Sequence, residues 1–125
     1  MKSLRILITD DNRDAANTLS RLLRVSGHST YVAFDGATAI RMAEEIRPEV
    51  VLLDLGLPDM SGYVVCQRIR AHLGEDLLAA IAITGWCSEP ARMQSFQSGF
   101  DQHLVKPASM DVLEQTLSVL AADPD

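Results

Sequence analysis

Cysteine is scarce in this chain, with Cys66 and Cys87 the only two in 125 residues. Their spacing fits neither a metal clip nor the density of a disulfide scaffold, so the sequence predicts a reduced, cytoplasmic setting. Positive charge is also short: 11 Lys and Arg face 17 Asp and Glu, a net charge of −6. That balance excludes the basic footprint of a nucleic-acid binder and leaves room for a basic protein partner or a divalent cation. No apolar run is long enough to cross a bilayer, which excludes direct membrane insertion. The opening Met1-Lys2-Ser3-Leu4-Arg5 has no apolar core followed by a small-residue cleavage site, so no secretory signal is read there. Repeats, linkers and low-complexity segments are missing as well. What remains is 47% apolar, too much for a disordered chain and enough for one well-filled core. A single domain over 1–125 is expected, with no output domain after the tail at 121–125.

Strand-like and helix-like patterns alternate along the chain. Leu4 to Thr9 reads as a first strand, and Ala15, Leu19, Leu22 and Leu23 give the next segment one apolar helical face. Gly27 stops that helix. Ser29 to Ala33 is a more polar strand suited to a sheet edge, and Asp35 is placed to cap a helix faced by Ala39, Ile40, Ala43 and Ile46. Val50 to Leu53 is a continuous apolar run, as in a strand buried on both faces. Val65, Ile69 and Leu73 line a third helix, and Ala79 to Ile83 forms a second fully apolar strand. Ser88 caps a shorter helix carrying Met93 and Phe96, read as core residues. Leu104-Val105 is a short last strand, and Ser109 caps a helix faced by Met110, Leu113, Leu117 and Leu120. Alternation of this kind predicts an α/β fold, a flavodoxin-like doubly wound (βα)5 sandwich with a five-stranded parallel sheet of order 2-1-3-4-5.

In that fold the strand ends bring Asp10-Asp11, Asp54, Thr84 and Lys106 to one edge of the sheet, where open α/β sheets place their ligands. Singly, each has a plain structural explanation. Asp54 can cap a turn, Asp10-Asp11 can serve a helix N-terminus, Thr84 can end a strand, and Lys106 can sit on the surface. Together they form a register. Crowded carboxylates repel one another unless a cation compensates, and hard oxygen ligands favour Mg2+. One carboxylate can then act as a nucleophile on a phosphoryl group, whose oxygens a lysine, a hydroxyl and the metal neutralise.

At these residues the chain resembles the receiver domains of two-component response regulators, CheY-like, over essentially its whole length. The matching signs are Asp10-Asp11, Asp54 followed by Pro58 and Gly62, Thr84-Gly85 and Lys106-Pro107. From Thr84 to Pro107 it looks most like receivers of hybrid sensor histidine kinases. The resemblance implies that Asp54 accepts a phosphoryl group from a histidine kinase or histidine phosphotransfer domain, and that phosphorylation switches a partner-binding surface. It implies Mg2+ on Asp11, Asp54 and the Gly56 backbone carbonyl, with Asp10 acting through water, and phosphoryl contacts from Thr84 and Lys106. A cis peptide at Lys106–Pro107 and a signalling domain that promotes its own phosphorylation and dephosphorylation are implied too.

The chain departs from the family pattern at His103, where an aromatic switch residue is usual. Two roles stand: packing at the start of the last strand, or a switch whose ring is buried or exposed. Gly56 and Trp86 flank the family's hydrolytic water route, so glycine should open it and tryptophan should narrow it; Trp86 is expected to dominate acyl-phosphate lifetime, or else to cover an apolar loop edge. A rival reading is an aspartyl-nucleophile phosphatase of haloacid-dehalogenase type, which normally shows a second Asp where Gly56 stands. A flavin mononucleotide carrier would share the sheet order, but Asp10-Asp11 would repel its phosphate.

Overall fold

A computed structural model of the chain describes residues 3–85, 89–106 and 109–120. Five parallel strands, β1 (Arg5–Thr9), β2 (Ser29–Ala33), β3 (Val50–Leu53), β4 (Ala79–Thr84) and β5 (Gln102–Val105), form one sheet of order β2-β1-β3-β4-β5. Helices α1 (Arg13–Val25), α2 (Gly36–Ile46), α3 (Gly62–Leu73), α4 (Glu89–Gln97) and α5 (Met110–Leu120) connect and follow them. This is the flavodoxin-like architecture and strand order read from the sequence. β3 and β4 are buried at every position, whereas the edge strands β2 and β5 are only partly covered.

Successive strand residues point to opposite faces, so the sheet separates two apolar layers. Leu7, Val51, Leu53, Ala80 and Ala82 pack with Ala39 and Ala43 of α2 and Val65, Ile69 and Leu73 of α3. Ile6, Ile8, Leu52, Ile81 and Ile83 pack with Ala16 and Leu23 of α1 and Leu113 and Leu117 of α5. Local signals end the helices where expected. Asn12 caps α1 by accepting from Ala15 N–H, Asp35 caps α2 through Thr38 N–H, and Ser109 Oγ accepts from Val112 N–H at 3.4 Å. Gly27 follows α1 at φ 100°, a left-handed geometry that needs glycine. The expected Ser88 cap lies outside the described residues.

Two helix faces differ from the expectation. In α1 the inward residues are Ala16, Ser20 and Leu23 with Leu19 half-buried, while Ala15 and Leu22 face solvent. Ser20 turns inward because its hydroxyl shares a 2.7 Å hydrogen bond with Thr30 Oγ1 of β2, so a satisfied polar pair takes a place assigned to leucine. In α4, Met93 and Phe96 are 58% and 49% exposed, and the buried residues are Ala91 and Ser95, with Ser98 buried just past the helix end. Small residues let that helix sit close, with Tyr63 Oη of α3 donating to the Ala91 carbonyl at 3.2 Å.

Candidate functional site

The sheet ladder continues past the strands and sets the positions of the acidic and basic groups. Asp10 N–H donates to Ala33 O, Asp54 N–H to Thr9 O at 2.9 Å, and Lys106 N–H to Thr84 O at 2.7 Å. Each backbone is thus held by its neighbour, and three side chains from β1, β3 and β5 converge at one edge. Both buried aspartates use their oxygens alike. Asp10 Oδ1 accepts from Asn12 N–H at 2.9 Å and Asp54 Oδ1 from Gly56 N–H at 3.0 Å, two tight Asx turns. The second oxygens share one cation: Lys106 Nζ lies 2.8 Å from Asp10 Oδ2 and 2.9 Å from Asp54 Oδ2. Burial alone pushes the Lys106 ammonium pKa down. The hydrogen bonds and charges of Asp10 and Asp54 outweigh it and hold the pKa above its ordinary value.

Asp11 is exposed beside this pair, and one carboxylate oxygen each from Asp10, Asp11 and Asp54 lie within 4.8 Å of one another. Three hard, anionic donors at that spacing fit a divalent cation of the Mg2+ type, which takes few protein ligands and keeps waters. Gly56 is exposed beside them, and Thr84 is buried at the end of β4. The structure therefore brings Asp10, Asp11, Asp54, Gly56, Thr84 and Lys106 to one edge. An open groove of about 700 Å³ adjoins them, with Leu19, Leu22 and Met110 in its walls.

His103 lies on β5 away from the carboxylates. Its Nδ1 is 2.9 Å from Ser95 Oγ, and the Ser95 hydroxyl donates to Ala91 O at 3.1 Å. With the serine proton donated to Ala91 O, the tautomer that pairs with Ser95 is the one bearing its proton on Nδ1, and His103 Nε2 is buried with no partner among the described residues. Trp86 and the Lys106–Pro107 bond lie outside the described residues. Cys66 packs in the core of α3, where burial pushes its thiol pKa up to about 11, an unreactive position. Sequence reasoning missed Ser95 and Asp59. Ser95 lacks any local signal, because its partner is on the next strand. Asp59 likewise lacks a local signal, because its carboxylate accepts from Gly36 and Ala37 N–H at the start of α2.

The response regulator receiver domain family model matches residues 6–118, so the chain belongs to this family of two-component signalling domains. Response regulator MprA of Mycobacterium bovis is 34% identical over 111 residues, which are 89% of this chain and 47% of that protein. The chain thus spans about half the length of the curated relatives it matches. The CheY-like response regulator receiver domain protein from Methanospirillum hungatei has a TM-score of 0.86 at 26% identity, covering 95% of this chain and 94% of that one. A response regulator protein from Burkholderia pseudomallei, solved with a phosphorylated aspartic acid, a calcium ion and citrate, has a TM-score of 0.83 at 29% identity. That match covers 94% of this chain and 66% of the other. The haloacid-dehalogenase alternative finds no support in these matches.

Proposed function

We propose that Asp54 accepts a phosphoryl group from a histidine kinase or a histidine phosphotransfer domain in the cytoplasm, and that the phosphorylated domain offers a changed surface to a downstream protein. The observation that carries this reading is the shared Lys106 ammonium, which bonds Asp10 and Asp54 beside a third carboxylate, Asp11. In the transfer, an Asp54 oxygen attacks phosphorus while the phosphorus–nitrogen bond of the donor phosphohistidine breaks and its electron pair leaves with the imidazole nitrogen. The product is an acyl phosphate on Asp54. Lys106 is already within reach of Asp54 Oδ2 and exchanges that contact for a phosphoryl oxygen, and the Thr84 hydroxyl donates to another. Asp11, Asp54 and the Gly56 carbonyl, with Asp10 through a water, would hold Mg2+, which supplies neutralising charge to the phosphoryl oxygens. The same groups promote hydrolysis of the acyl phosphate, so the domain times its own signal. The groove beside Asp10 and Lys106, with its apolar walls, suits a docking donor. His103 acts as the switch, leaving Ser95 when Thr84 moves to the phosphoryl group.

The test is incubation with Mg2+ and acetyl phosphate, followed by intact mass and Trp86 fluorescence. A phosphoryl adduct is expected in the wild type and absent in Asp54→Asn. No adduct in either protein would sink the reading.

A further inference from the structure

The first four N–H groups of a helix have no partner within the helix. At α2, Asp35 provides for two of them: its side chain accepts from Thr38 N–H at 2.7 Å and its carbonyl from Ala39 N–H at 3.1 Å. The other two are taken by a residue from another loop. Asp59 Oδ1 accepts from Gly36 N–H at 2.8 Å and Asp59 Oδ2 from Ala37 N–H at 2.9 Å. These bonds, Gly36 first and Ala37 second, hold the Asp59 carboxyl below its usual range.

The same contact is built into the packing. Met60 lies over Gly36 so closely that a Cβ there would come within 2.5 Å of Met60 Cγ. The loop between β3 and α3 is also fastened at its base, where Gly62 N–H donates to Leu55 O at 3.2 Å and Gly56 N–H to Asp54 Oδ1 at 3.0 Å. Gly56 is thus held on its amide side, with Leu55 and Leu57 on either side half-buried against the core, and Asp59 and Met60 fasten the loop beyond its carbonyl to α2.

We propose that Asp59 is a positioning residue for the cation site: by gripping the start of α2 with both oxygens, it fixes the loop that presents the Gly56 carbonyl to Asp11 and Asp54. This rests on the Mg2+ site described under Proposed function. Asp59 never touches the cation. It acts through the loop, as residues that orient metal ligands do elsewhere.

The experiment uses the full chain and its Asp59→Ala and Asp59→Asn variants, each titrated with magnesium chloride by calorimetry and each unfolded in urea. Asp59→Ala is expected to weaken Mg2+ binding roughly tenfold, the lower end for groups that orient metal ligands. Asp59→Asn keeps one acceptor oxygen and is expected to fall between Ala and wild type. At saturating Mg2+ all three should give the same adduct yield from acetyl phosphate. A residue that merely caps α2 would lower the urea midpoint and leave Mg2+ affinity unchanged, and that result overturns the proposal. Equal weakening in Ala and Asn overturns it too, because lost charge rather than lost grip would then explain the effect. Adduct lost at saturating Mg2+ would do the same. If Asp59→Ala does not fold, unchanged affinity in Asp59→Asn is decisive against it. Wild-type protein that binds no Mg2+ would overturn the site itself together with this inference, a failure separable from the others.

Discussion

Gly62 and Gly56 stand in the same loop, and a methyl group would meet very different surroundings at each. At Gly62 a Cβ would lie 2.7 Å from Leu55 Cα and 2.8 Å from Asp54 O, both backbone atoms that cannot turn aside. Gly62→Ala is therefore expected to lower stability by roughly 1–3 kcal/mol, the usual cost of overpacking, and to slow phosphorylation by displacing Asp54. Urea unfolding and adduct formation read the two effects. At Gly56 the nearest atom is Asp54 Oδ1 at 3.8 Å, an ordinary contact. Gly56→Ala should leave stability within about 0.5 kcal/mol and lengthen the acyl-phosphate lifetime, since the methyl narrows the approach of water. Adduct decay followed by mass spectrometry checks this, and an unchanged decay would count against the water route. At this scale the acidic and basic site residues were legible, because each ends a strand whose apolar run marks it. Asp59 was not, because its partners Gly36 and Ala37 stand far off in the chain and carry no side-chain signal.

Among the elements, α4 shows how polar bonds decide which face turns inward. Tyr63 of α3, the Ala91 carbonyl, Ser95 and His103 of β5 form a continuous hydrogen-bonded chain across three elements. Tyr63→Phe removes one link and is expected to cost about 0.5–1.5 kcal/mol in urea unfolding. Ser95→Ala removes the partner of His103 Nδ1, leaving the inward ring with nothing to bond. The His103 ring-proton signals of unphosphorylated Ser95→Ala should then move toward those of phosphorylated wild type, and unmoved signals would refute the switch role proposed for His103. Helix faces were the least legible part of the fold, for a physical reason. Hydrophobic periodicity assumes that large apolar residues face inward, and at α1 and α4 Ser20 and Ser95 take buried positions beside Ala16, Leu23 and Ala91. Where apolar periodicity met no polar competitor, as with Val65, Ile69 and Leu73 of α3, the inward face was read correctly.

For the molecule as a whole, strand order was legible because the strands differ in pattern and length: apolar runs for the interior, and one more polar strand and one short strand for the edges. Stability should also carry a pH signature far from the site. His28 is buried at the foot of the sheet and its Nδ1 accepts from Leu4 N–H at 3.1 Å, which requires a neutral ring. Burial lowers its pKa below the ordinary 6.5, partly offset by the charge of Glu114. The unfolded chain then binds the proton more readily than the folded one, so this contribution is complete above 6.5 and is lost as pH falls through the lower folded value. As pH falls from 6.5 toward the folded value, the thermal unfolding midpoint of wild type should drop more steeply than that of His28→Asn, and parallel curves would refute it.

The alternation within β4 has a consequence of another kind. Ala80 and Ala82 face the layer under α2 and α3, while Ile81 and Ile83 face the layer under α1 and α5. A slip of this strand by one residue would drive isoleucines into spaces sized for alanine and leave voids behind the sheet. The same slip would carry Thr84 off the edge where Lys106 N–H meets its carbonyl. Misalignment is thus penalised in the packing wherever it would disturb the edge, and a chain folded with its core filled has the strand-end residues Asp10, Asp54, Thr84 and Lys106 in line.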